Sequence, residues 1–264
     1  MEWIELDPDN FRYCHSLMTY FGYCQTNLVA FYNFESSVNQ IDLVYHIHSP
    51  FVIKPLGIGK LNGKMGLIDK YAEFMDYSLF FLVNCSNRKG YDSNYLLSII
   101  YQIALGIRDI HQMGIIHMNI QPKSIILKNR GDSVRVMIIG FEQSVDTNSY
   151  ESENVFCYGT EQYNPPEMDH RTPLTMAADI YAFGLCILLL LMPKISSFPT
   201  SHDFEVFMKM EQSFFPELDP LKEILTRIFV EAPDERITIN EIVEFEFFKN
   251  NVTCIFDDFD GFLR

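Results

Sequence analysis

The stretch from Asn94 to Glu142 constrains this chain more than any other. Leu96, Leu97, Ile100, Ile103, Ala104, Ile107 and Ile110 recur at three- and four-residue spacing, which predicts an amphipathic helix over 94–113. Gly114 follows as its C-terminal cap. Next comes a polar loop, His117-Met118-Asn119-Ile120-Gln121-Pro122-Lys123-Ser124. Two short β-branched runs, 124–127 and 134–139, lie on either side of Asn129-Arg130-Gly131-Asp132 and read as a hairpin. A hairpin folds the chain back, so Gly140-Phe141-Glu142 at its far end returns to the loop.

Composition frames this unit. The chain has 264 residues, enough for one large or two smaller lobes with a core, and 23 Phe with 14 Tyr exclude a disordered polymer. A net charge of −15 argues against nucleic acid and against anionic membrane surfaces as partners, since both are bound through Lys and Arg. The run Ala182–Met192 is about half the ~20 residues a membrane span needs and reads as a buried helix. The first residues lack the basic and apolar regions of a signal peptide, and six scattered cysteines form no Cys-x-x-Cys pair. Both point to reduced thiols and a cytoplasmic or nuclear location. His46 and His48 read as an exposed helix end.

The loop and the triplet resemble the catalytic core of the eukaryotic protein kinases. That family's loop reads His-Arg-Asp-Leu-Lys-Pro-x-Asn, with Asp accepting the substrate proton, Lys steadying the phosphoryl group and Asn holding a magnesium ion. Asn119, Gln121 and Ser124 stand at those positions. Gly140 replaces the metal-binding Asp of the Asp-Phe-Gly triplet. The resemblance continues through Gly159-Thr160-Glu161-Gln162-Tyr163-Asn164-Pro165-Pro166-Glu167 and Asp179-Ile180-Tyr181-Ala182-Phe183-Gly184, and ends at Arg236, which stands where the family pairs an arginine with Glu167.

Upstream, Leu28-Val29-Ala30-Phe31-Tyr32 is similar to the strand that carries the nucleotide-binding lysine, with Tyr32 at the lysine position. Residues 38–48 read as the following helix, which places its glutamate position at Gln40, or at Glu35 if the register slips. Gly57, Gly59, Gly63 and Gly66 read as turns between strands. The resemblance implies an α+β, bilobal kinase-like domain over 1–250, with a β-rich lobe over about 1–71, a helical lobe over about 72–250 and an acidic, aromatic tail over 251–264.

The same resemblance implies a degenerate member, a pseudokinase. Its altered positions are Tyr32, Gln40, Asn119, Gln121, Ser124 and Gly140, with no catalytic residue and no metal. Glu142 reaches the lost Asp position only from two residues away, roughly 6–7 Å along an extended segment. Structural roles fall to His117, Phe141, Glu167, Asp179 and Arg236, and an adenine pocket to Ala30 and Ile126. The expectation is a domain that is not an enzyme, with no cofactor beyond weak, magnesium-independent ATP binding. It would act as a scaffold or allosteric regulator for a protein partner, an active kinase or another signalling protein. A divergent, weakly active Ser/Thr kinase and a nucleotide sensor are the alternatives.

Overall fold

The computed structural model describes residues 2–14, 19–24, 27–33, 43–70, 77–84, 92–130, 133–148, 160–170, 174–192, 201–210 and 214–252. The first part of the chain is a six-stranded sheet made of β1 (Glu2–Ile4), β2 (Phe11–Cys14), β3 (Thr19–Cys24), β4 (Asn27–Asn33), β5 (Pro55–Leu61) and β6 (Lys64–Lys70). Its order is β1-β5-β6-β4-β3-β2, parallel only between β1 and β5. Phe11, Val29, Phe31, Leu61 and Ile68 fill a small core on one face.

The second part is helical, and the chain has the expected α+β, bilobal architecture. Strand β7 (Tyr77–Ser78) leads into α1 (Leu79–Asn84) and the long α2 (Ser93–Gln112). Strand β8 (Ile115–Ile116) enters the loop, and β9 (Ile125–Arg130) with β10 (Ser133–Ile138) forms the antiparallel hairpin. Strand β11 (Val145–Asp146) pairs back with β8. Then come α3 (Ala177–Leu191), α4 (Ser201–Lys209), α5 (Leu221–Ile228), α6 (Ile239–Val243) and α7 (Glu246–Asn251).

Helix α2 is the one the spacing predicts. Asp92 caps it by accepting from the Asn94 N–H at 3.0 Å, and Gly114 ends it at φ +73°. The boundary expected near residue 71 falls among residues outside the described set. Val44, Ile47 and Phe51–Ile53 nevertheless pack in the large core with the helices, and the Ile53 N–H donates to the Ile138 carbonyl at 3.0 Å. This part of the expected small lobe is therefore joined to the hairpin.

Two expectations need correction. Gly57 and Gly59 lie inside β5 and Gly66 inside β6, and only Gly63 sits in the turn. Gly59 is there for close packing, since a Cβ would stand 2.7 Å from the Ile4 carbonyl oxygen and 2.6 Å from Ile68 Cδ1. Residues 239–249 read in the sequence as a single last helix, and the structure divides them between two helices. Thr238 and Glu241 cap the first in a reciprocal box, and the chain turns extended at Phe245.

Gln102 lies on the buried side of α2, where the apolar spacing had not called for it. Its Nε2 donates to the Val134 carbonyl at 2.8 Å, and its Oε1 accepts from the Val136 N–H at 2.9 Å. The amide thus pairs with the open edge of β10 as a neighbouring strand would. Gln102→Leu should lower the unfolding free energy by about 1–3 kcal/mol for each backbone group left unpaired. Urea denaturation of the two proteins measures this.

Candidate active site

The loop between β8 and β9 is anchored from below by helix α3. This helix is apolar almost all round and buried, and Asp179, 1% exposed, is an acid in its first turn. The carboxylate accepts from the His117 N–H at 2.7 Å, the Met118 N–H at 2.9 Å and His111 Nε2 at 2.9 Å. Burial alone drives a carboxyl upward, but the hydrogen bond and charge of His111, with the His117 contacts, hold Asp179 below its ordinary value. Met118 takes φ +61°, a left-handed conformation that costs a non-glycine residue roughly 1–2 kcal/mol. The bond from its N–H to Asp179 holds it there.

His117 is fully buried and bonded at both ring nitrogens. Its Nδ1 accepts from the Asn119 N–H at 3.2 Å, and Nε2 donates to the Ile139 carbonyl at 3.1 Å, which assigns the neutral Nε2–H tautomer. Burial pushes its pKa down to about 4, against the upward pull of Asp179 and the Ile139 carbonyl. The ring meets Phe141 edge to face, centroids 4.5 Å apart. Phe141 is 1% exposed, so the loop and the Gly140-Phe141-Glu142 triplet form one packed unit.

The positions that carry chemistry in the resembled family are turned toward one another. Gln121 Nε2 donates to Asn119 Oδ1 at 2.6 Å and to Thr160 Oγ1 at 2.8 Å, and Thr160 Oγ1 donates to Asn119 Oδ1 at 3.1 Å. Asn119 Nδ2 faces the Gly140 carbonyl at 3.4 Å. Ser124 is buried with its hydroxyl directed at the loop carbonyls of Asn119 (2.7 Å) and Gln121 (2.9 Å), while accepting from the Gln121 N–H at 3.0 Å. Gly140 has φ +86° and ψ +49°. A magnesium ion needs oxygens that face the cleft. Neither Ser124, spent on its own loop, nor Gly140, without a side chain, fits one, and among the described residues no group of three His, Cys, Asp or Glu could hold a metal.

The remaining site residues are placed as follows. Glu167 and Arg236 form a buried two-pronged ion pair at 2.7 and 2.9 Å. Arg236 also donates to the Ala177 and Val230 carbonyls and lies over the Tyr181 ring, tying the segment after Thr160 to the far end of the domain. Ile126 is buried in β9, paired across from Ser78 of β7 in the same sheet. Ala30 and Tyr32 stand in β4, opposite Phe21 and Leu67 respectively, and their side chains lie outside the described residues, as does Gln40. The site residue missed in the sequence is Thr160. It sits in the quoted Gly-Thr-x-x-Tyr motif, but its partners are 39 and 41 residues away.

This geometry agrees with a comparison of the whole chain. The protein kinase domain family matches residues 29–248. The chain belongs to the protein kinase family. Serine/threonine-protein kinase Nek5 of Homo sapiens is 24% identical over 221 residues, 82% of this chain and 30% of its own length. Serine/threonine-protein kinase PKH1 of Saccharomyces cerevisiae is 27% identical over 224 residues, 74% of this chain and 29% of its own length. Aurora kinase of Dictyostelium discoideum is 23% identical over 230 residues, 85% of this chain and 57% of its own length. The chain therefore spans less than a third of the first two relatives.

These relatives correct one expectation, that the chain is not an enzyme. They match it over most of its length and are named as kinases, two of them as serine/threonine-protein kinases. That expectation counted substituted positions one by one, whereas groups that act as a unit lose rate in a strongly non-additive way. No helix among the described residues is long and apolar enough to cross a membrane.

Two predictions follow from His117 and Phe141. The folded His117 pKa of about 4 lies below the ordinary 6.5, so the unfolded chain binds more protons between those values and stability is lost as pH falls through that window. Urea midpoints should be flat above about pH 7 and drop by up to ~3 kcal/mol in unfolding free energy toward pH 4. His117→Gln should lose that part of the slope. Phe141→Ala should cost ~3–5 kcal/mol, read by the same denaturation.

Proposed function

We propose that this chain is a divergent serine/threonine-type protein kinase domain of the cytoplasm or nucleus. Its phosphoryl transfer is slow, and the kinase frame it keeps serves as a regulatory contact for a protein partner, an active kinase or another signalling protein. One observation carries this reading: Asn119, Gln121 and Ser124 spend their polar atoms on one another, on their own loop and on Thr160. Transfer of a phosphoryl group depends on charge aimed at the polyphosphate. Those three positions aim none, and Asn119 cannot accept a proton as a carboxylate does.

The buried ion pair Glu167–Arg236 and the Asp179 anchor support the regulatory half, because they hold the partner-facing frame without a nucleotide. ATP then binds weakly and gains nothing from magnesium. The net charge of −15 supports a protein partner over nucleic acid or membrane.

Calorimetry with ATP, with and without magnesium, should give a Kd weaker than about 10 μM in both cases. Labelled-phosphate transfer to serine and threonine peptides should be measurable but well below the ~1–100 s⁻¹ of ordinary kinases. Magnesium-dependent binding tighter than 10 μM, or transfer in that ordinary range, would overturn the attenuated site. Complete absence of transfer over a broad peptide panel would overturn the enzymatic half and leave the regulatory contact alone.

A further inference from the structure

We propose that residues 2–6 occupy a peptide-docking groove of the small lobe, and that an acidic, extended segment of a protein partner, with aliphatic side chains two residues apart, takes their place there. This surface rests on the regulatory half of the proposed function and lies outside the cleft.

Strand β5 would be the edge of the six-stranded sheet without β1, which adds to it in parallel through Glu2, Trp3 and Ile4. Side chains alternate along β1, so Trp3 lies on the face of its partner Ile58 and Ile4 on the face of Gly59. Gly59 leaves a notch on that second face. A Cβ there would stand 2.7 Å from the Ile4 carbonyl oxygen, 2.6 Å from Ile68 Cδ1 and 3.4 Å from Leu6 Cδ1. Ile4 and Leu6 pack beside it against the small core of Phe11, Val29, Phe31, Leu61 and Ile68. The groove therefore selects an extended backbone with two aliphatic side chains at alternate positions.

Charge selects further. From Lys54 to Lys64 the chain carries three exposed lysines and no acid, although its net charge is −15. The segment that lies on this stretch reads Glu2-Trp3-Ile4-Glu5-Leu6-Asp7, with acids between the apolar residues. Carried one residue further, the register brings Glu5 level with Lys60.

The present occupant is replaceable. Only three of its residues are paired, and Ile4 and Leu6 are only partly buried, so it belongs to the part of the fold that opens at least cost. The groove remains when the strand leaves, because β5 is paired with β6 along its length. Trp3 is 52% exposed and Leu56 is 43% exposed, so residues 2–6 leave apolar surface uncovered. A partner segment that also covers Leu56 gains contact that the chain's own segment lacks. Addition of an extended segment to a sheet edge is a recurrent mode of peptide recognition.

Trp3 is the chain's one tryptophan, so its fluorescence anisotropy reads the segment directly in the full chain. The probe is a synthetic peptide of residues 2–9 carrying Trp3→Phe. A control peptide further carries Glu2→Lys, Glu5→Lys, Asp7→Lys and Asp9→Lys. A tethered occupant competes at an effective concentration of about 1 mM, so the acidic peptide should act at roughly millimolar levels. Trp3 anisotropy should then fall and hydrogen exchange in residues 2–6 should rise, while exchange in α2 stays unchanged. The lysine peptide should do neither.

Ile4→Ser combined with Leu6→Ser weakens the tethered segment and leaves β5 as it is. A fluorescein-labelled acidic peptide should bind this double variant at least about tenfold more tightly than the wild type. Trp3 anisotropy unchanged at about 5 mM acidic peptide, equal displacement by the lysine peptide, or equal affinity of the labelled peptide for the two proteins would each overturn the docking groove. These measurements involve no nucleotide and no phosphoryl transfer, so their failure leaves the attenuated cleft to its own test.

Discussion

One carboxylate organises the site from beneath. Helix α3 is so apolar that it can only be buried, and an acid in its first turn survives there because three donors reach it. Two of those donors are consecutive backbone N–H groups of the loop, which sets the loop's path and holds Met118 in a left-handed conformation. With that path set, the Asn119 N–H falls on His117 Nδ1, which selects the tautomer that donates to Ile139. Phe141 then packs on a ring whose orientation is already determined. The hydrogen bonds of the cleft inherit their positions from a residue that lies below it.

The molecule treats its buried charges and its cleft differently. Asp179 and the Glu167–Arg236 pair are ionic, deeply buried and well supplied with partners, which is the condition under which a buried charge is tolerated. At the loop positions where the protein kinase family usually places charge, this member has amides and hydroxyls that bond among themselves. Membership of the family thus rests on the frame, and what is particular to this chain is concentrated in a few side chains set on it.

Much of that frame was legible in the sequence. The period of α2, its glycine stop, the hairpin and the apolar run of α3 are local patterns, and each appears where periodicity placed it. Gln102, Gly59 and Thr160 were misread for one cause, since each depends on a partner distant in the chain. Gln102 looks like an interruption until the open edge of β10 lies beside it. Gly59 looks like a turn until the Ile4 backbone crosses it. Ser124 stands in the sequence at the position where the resembled family has a metal ligand, but the direction of its hydroxyl is a property of the folded loop. Thr160 was quoted only as part of a motif, because the bonds that give it meaning span about forty residues.

The left-handed backbone at Gly140 bears on which residues the position favours. Any side chain at that position carries about 1–3 kcal/mol of conformational strain. A single substitution to aspartate would therefore add a carboxyl group while disfavouring the backbone that presents it. That cost does not close the position, since Met118 holds φ +61° in the neighbouring loop through a single bond to Asp179. Glycine at 140 therefore spares the turn a small strain and leaves the triplet without the carboxyl group that the resembled family carries there.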